Sequence, residues 1–190
     1  MLLDTLLAVR RRSEALIAPL EPEDLMIQGM ADASPPKWHL GHTTWFFDTF
    51  VLQPHAPGHK ACDALWSYQF NSYYEAVGAR HPRPQRGLLS RPVIGAVLAW
   101  RQRVDAELEE LLLDPPEDVM ALVALGLQHE QQHRVVVGHA LQLKDRKVPR
   151  VDVEHRLLNG RVELHCLHPG ELGAQTRYAG AAVDAARPEH

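Results

Sequence analysis

Cysteine is scarce. The 190 residues hold two, Cys62 and Cys166, too few and too far apart for a disulfide scaffold or a thiolate zinc site. No run approaches about 18 apolar residues, so no membrane-spanning helix is expected. The opening MLLDTLLAVRRRSEALIAPL puts its arginines after its apolar part, the reverse of a secretory signal. Charge of one sign is lacking as well: 20 Lys plus Arg stand against 24 Asp plus Glu, a net charge of -4, which argues against nucleic acid or a membrane surface as partner. Aromatics make up only 6%. A soluble, cytoplasmic protein with one compact domain is expected. What the chain does have in excess is histidine, 12 in all.

Hydrophobic spacing predicts helices. Leu2, Leu3, Leu6, Leu7, Val9, Leu16 and Ile17 follow a helical pattern that Pro19 and Pro22 close. Ser34-Pro35-Pro36 offers an N-cap and a proline-compatible first turn for a second helix. Its seam runs Trp38, His42, Trp45, Thr49 and Leu52, and Pro54 is expected to end it. Residues 53–90 carry four prolines but also the aromatic stretch ALWSYQFNSYYEAV, which predicts a packed crossover with a short helix. Ser90-Arg91-Pro92 repeats the cap-then-proline signal before a third helix with Val93, Val97, Trp100, Val104, Leu108 and Leu111 on one face. After Pro115-Pro116, with Asp114 or Asp118 as cap, a fourth helix of about seven turns follows the seam Val119, Leu122, Gly126, His129, His133, Val136, Ala140 and Leu143.

The expected fold is therefore all-α, a four-helix bundle over 1–147 with a long crossover between helices two and three. Residues 148–190 read as a C-terminal extension: LLNGRVEL carries an Asn-Gly hairpin signal, and 169–190 read mostly as a tail.

His129 and His133, four apart on a helix, lie about 40° apart around its axis and one turn apart along it, so both imidazoles can reach one metal ion. Both fall on the inward seam, where a buried polar ring needs a partner. His42 occupies the seam of helix two between Trp38 and Trp45. The three together would make a site for zinc, iron, nickel or manganese inside the bundle, and a polar histidine network is the alternative. His39, three residues before His42, sits off the seam and could assist or replace it. The histidines at 55, 59, 81, 139, 155, 165, 168 and 190 are expected mostly at the surface.

The string His129-Glu130-Gln131-Gln132-His133 also satisfies HExxH, in which a glutamate activates water on zinc for peptide hydrolysis. A further ligand would have to follow. His139 has the spacing of one protease group, but Val136 stands where that pattern needs glycine. Glu154 lies in the range of another group, within a possible strand. Two other groupings invite a role: the rings of Trp38, Trp45, Trp66, Tyr68, Tyr73 and Tyr74 could line a cavity or simply pack a core, and Arg80, Arg83, Arg86 and Arg91 could hold a substrate carboxylate or form a solvated loop.

Three ordered segments, MADASPPKWHLGHTTWFFDTFVL at 30–52, FNSYYEAVGARHPRPQRGLLSRP at 70–92 and LGLQHEQQH at 125–133, closely resemble the N-terminal domain of the ergothioneine sulfoxide synthases, a DinB-like four-helix bundle. The likeness covers roughly 1–145. It implies a non-haem iron, Fe(II), held by His42, His129 and His133, and oxygen-dependent chemistry joining a thiol to a histidine derivative, with Glu130 a helix residue near the site. Two departures stand out. His133 is followed by Arg134 and Val135 where that family has x-Glu, and 190 residues leave no room for the synthases' C-terminal domain resembling formylglycine-generating enzymes. A fragment, a shortened paralogue or a stand-alone DinB-like protein is expected: an oxidoreductase, a metal-dependent thiol transferase, or a non-catalytic metal-binding module. Its partners would be a small-molecule substrate, a second copy in a homodimer, or a separately encoded catalytic domain.

Overall fold

A computed structural model describes residues 2–142 apart from Tyr73. Helix α1 (Leu2–Ile17) buries Leu6, Val9, Ser13 and Ile17 at helical spacing, and Arg10 with them. Helix α2 (Pro36–Phe46) is buried along its whole length. It passes into a π-helical segment, Phe47–Leu52, and a last α-helical turn, Gln53–His55. Pro54 thus falls inside a continuous helical run, and the helix ends one residue beyond it, at His55.

Ser34 does not cap α2. The cap position is Pro35, with no side-chain bond, and the Ser34 hydroxyl accepts from Arg86 Nη1 at 2.9 Å instead. Pro36 has no N–H to satisfy, which removes part of the need for a cap. Ser90 likewise caps nothing: Val93 holds the cap position of the next long helix, after a cis Arg91–Pro92 bond.

The crossover contains the expected short helix, α3 (Ala64–Phe70), capped by Asp63, whose carboxylate accepts from the Leu65 N–H. Two 3-10 turns follow, Glu75–Val77 and Arg83–Leu88. Polar side chains tie it down. Lys37 Nζ, buried on α2, donates to the carbonyls of Leu89 at 2.7 Å and Pro92 at 2.8 Å, and Gln28 bridges to Arg83 and Gly87. Helices α4 (Ile94–Leu111) and α5 (Glu117–Gln142) complete the bundle; the 26 residues of α5 make about seven turns.

Helix α1 packs on α5, and α2 packs on both α4 and α5, so α2 is central. The core between them is formed by Leu6, Trp45, Phe47, Leu52, Val97 and Leu108 among others. All regular structure among the described residues is helical. None of these helices is long and apolar enough to cross a membrane. The hairpin, the tail, the boundary at 147, Leu143 of the seam and Glu154 lie outside the described residues.

Candidate metal centre

The arrangement around α2 begins with a glycine. A Cβ on Gly41 would meet the Phe70 ring at 2.2–2.6 Å, so only glycine lets α3 approach this closely. That approach delivers the Phe70 carbonyl to His42, whose Nδ1–H donates to it at 2.7 Å. A carbonyl can only accept, so the proton of neutral His42 is on Nδ1 and its Nε2 lone pair is free. Trp38 stacks on the same imidazole, with centroids 4.6 Å apart and planes at 14°, and Trp45 lies on it at 5.8 Å and 16°. Above Trp38 the Arg86 guanidinium sits 3.5 Å from the ring centroid.

Helix α5 brings its pair to the same point. His129 Nε2 lies 3.1 Å from His42 Nε2 and 3.0 Å from His133 Nε2, and one ligand nitrogen from each of the three falls within 4.8 Å of the others. Gly126, one turn before His129, keeps α5 close to α2: a Cβ there would stand 2.6 Å from Phe47. The three histidines are 1%, 3% and 8% exposed for His42, His129 and His133. Burial holds them neutral. It pushes His42 and His133 well below the usual imidazole range and His129 down to about 4. Neutral imidazoles whose Nε2 atoms converge are what a transition-metal ion requires. Two nitrogens bound to one ion at about 2.1 Å stand about 3.0 Å apart at a right angle and about 3.4 Å apart at the tetrahedral angle. The two separations of 3.0 and 3.1 Å fall in that range, and the third is within 4.8 Å. The trio could therefore hold a divalent metal ion.

The braces of the three rings differ. His42 has the Phe70 carbonyl. His133 Nδ1 is 2.6 Å from His39 Nδ1. His129 Nδ1 is buried with no hydrogen-bond partner among the described residues. His39 is thus beside the trio rather than in it, as its off-seam position predicts.

Glu130 is 1% exposed, and both its oxygens are engaged: Oε2 by Arg10 Nη1 at 2.9 Å and Oε1 by Arg101 Nη2. Burial alone would raise its carboxyl, but the two guanidinium groups beside it hold it down at about 2. Arg10 also pairs with Asp105 at 2.6 Å and Arg101 with Glu14 at 3.1 Å, so one ionic network joins α1, α4 and α5. A carboxylate engaged in this way is not free to activate a water as a peptidase base. The sequence carried a signal for this network that hydrophobic spacing alone passes over: Arg10 and Arg101 each sit on the apolar face of their helix, at i+4 from Leu6 and Val97.

The remaining candidates disperse. Of the six aromatics, Trp38 and Trp45 touch His42, while Trp66 packs on Trp100, Tyr68 on His81, and Tyr74 on Trp45 and Phe50. Tyr73 is outside the described residues. The arginines form no single cluster: Arg86 is buried over Trp38, Arg80 donates to the Ser72 carbonyl, Arg83 to that of Asp32, and Arg91 is exposed. His59, expected at the surface, is half-buried with its imidazole enclosed, Asp48 and Glu107 flanking its two nitrogens. Nearby, burial and then Asp48 push the Cys62 thiol up to about 12, which removes it as a reactive thiolate. His155, His165, His168 and His190, and the side chain of His139, lie outside the described residues.

A family model described as the DinB superfamily matches residues 5–137, well over half of the chain and all three seam histidines. No curated protein is matched.

Proposed function

The chain belongs to the DinB superfamily, and on that premise we propose that it holds one divalent transition-metal ion, Fe(II), on His42, His129 and His133, beside a small molecule bearing a thiol or derived from histidine. The observation that carries this reading is the convergence of three buried, neutral imidazole nitrogens, two separations being 3.0 and 3.1 Å. Three neutral imidazoles suit Fe(II) as well as zinc, nickel or manganese, and the likeness of the three motif segments to the ergothioneine sulfoxide synthases is what favours Fe(II). An ion held by these three residues alone would leave positions for a substrate. Iron bound there would supply redox and Lewis-acid chemistry of the kind used by the ergothioneine sulfoxide synthases, whose three motif segments this sequence resembles.

The chain's own residues do the rest. Phe70 and Trp38 fix the plane and tautomer of His42, the stacked indoles keep water from the imidazole, and the Arg10–Glu130–Arg101 network holds α5 in register so that both its histidines face α2. We place this protein in the cytoplasm, working alone, as a homodimer or with a separately encoded catalytic domain.

Element analysis of protein prepared without added metal tests the proposal. One iron per chain, lost in both His42→Ala and His129→Ala, is expected; unchanged metal in either variant rejects the trio. A second reading, a non-catalytic metal module, draws support from the near-complete burial of all three histidines. Adding a thiol to the Co(II)-loaded protein separates the two: a shifted visible spectrum supports substrate access, and an unchanged one the closed module.

A further inference from the structure

We infer that His39 is a positioning residue, which accepts a hydrogen bond from His133 Nδ1–H and thereby fixes the tautomer that aims His133 Nε2 at His42 and His129. The inference rests on the proposed metal trio, which selects His133 as the donor, and on the hydrogen-bond geometry that joins the two rings.

The two Nδ1 atoms are 2.6 Å apart and buried, so one must donate and the other accept. His133 Nε2 points to His129 Nε2 at 3.0 Å, and its lone pair must be free for it to serve as a ligand. Neutral His133 then carries its proton on Nδ1 and is the donor. His39 is the acceptor, which puts its own proton on Nε2. That atom is buried without a hydrogen bond of good geometry, and the Ser34 backbone carbonyl is the acceptor beside the His39 ring. His39 also lines a small cavity of about 20 Å³ together with Ser13, Thr43, Glu130 and Arg134.

The backbone explains why His39 reaches this place. It is one turn before Thr43 on α2, rotated from His42 toward the α1 side, and Trp38 packs edge-on against it at 5.5 Å and 80°. Among the trio, His42 is braced by a backbone carbonyl and His133 by a side chain, so only the His133 brace is open to substitution without moving the main chain. Outer hydrogen-bond partners of this kind typically set metal affinity by about 10–100-fold.

The test uses the full chain. Two-bond proton–nitrogen NMR on the metal-free protein reads the His133 tautomer, and Co(II) titration against a chelator reads affinity, in wild type, His39→Phe and His39→Asn, with His42→Ala as the ligand-loss control. Expected are a His133 protonated on Nδ1 in wild type, and mixed tautomers in His39→Phe with Co(II) held about tenfold or more weaker at unchanged stoichiometry. His39→Asn, whose Oδ1 can accept in place of Nδ1, restores both. A His133 protonated on Nε2 in wild type overturns the inference, as does His39→Phe matching wild type. Loss of all Co(II) in His39→Phe, equal to His42→Ala, overturns it differently by making His39 a ligand. If wild type takes no Co(II), the metal reading falls, while the tautomer still decides the role of His39. Should His39→Phe fail to fold, the wild-type and His39→Asn spectra decide it.

Discussion

His42 Nδ1 donates to the Phe70 carbonyl at 2.7 Å, and the ring of that same phenylalanine fills the space where Gly41 lacks a side chain. One residue thus sets both the distance between α2 and α3 and the tautomer of a candidate ligand. Gly41→Ala should push Phe70 out, destabilising the fold by about 1–3 kcal/mol. Urea unfolding reads that loss, and a parallel Co(II) titration should show weaker binding. Wild-type behaviour in both would mean that Phe70 does not brace His42.

Glu130→Gln tests the ionic network. Removing the charge leaves Arg10 and Arg101 without their shared buried partner, a change expected to lower stability by about 3–5 kcal/mol. Metal stoichiometry in the folded variant should stay at the wild-type value, because no ligand is lost. A variant that is as stable as wild type but loses its metal would point instead to a role for Glu130 at the ion.

Acid should weaken the chelator-treated protein in a defined window. His129 is held at about 4 and His39 at about 3, both lowered first by burial, against about 6.5 in an unfolded chain. The unfolded state therefore binds more protons between these values. Stability is complete above about pH 6.5 and falls as pH drops toward 4, by up to about 1.4 kcal/mol per pH unit for each such histidine. Arg86 and Arg83 near His39 act in the same direction, whereas Glu130 beside His129 opposes it. Urea midpoints measured from pH 7.5 to 4.5 should decline; a flat profile would show that these rings are solvated.

Asp48 is a third test position. Its carboxylate accepts from Trp100 Nε1 at 2.8 Å and from Gln53 Nε2 at 2.9 Å at the π-helical segment of α2, and it is fully buried. Asp48→Ala should lower stability by about 1–3 kcal/mol through the donors left unpaired, with Co(II) affinity unchanged. Thermal unfolding and the same titration check it.

The trio was legible in the sequence because two independent regularities agreed: a four-residue spacing on α5, and a seam position on α2 flanked by two tryptophans. Helix existence followed from spacing for similar reasons. What escaped was anything requiring knowledge of a distant partner. Ser34 and Ser90 look like caps, but prolines adjacent to them set the chain direction, and Ser34 serves Arg86 instead. The π-helical segment Phe47–Leu52 leaves no trace in the apolar pattern, since Phe46, Phe47, Val51 and Leu52 are apolar whichever way they turn. His59 read as a loop histidine because Asp48 and Glu107 are 11 and 48 positions away in the chain.

Enclosure of the trio also has a kinetic meaning. On the closed-module reading, with His42 at 1% and His129 at 3% exposure, neither a thiol nor an external chelator touches an ion bound between them until the helices part. Release would then be timed by the breathing of α5 against α2 rather than by the strength of the nitrogen bonds. Raising the chelator concentration should bring the exchange rate to a plateau, and that plateau is the opening rate of the bundle itself.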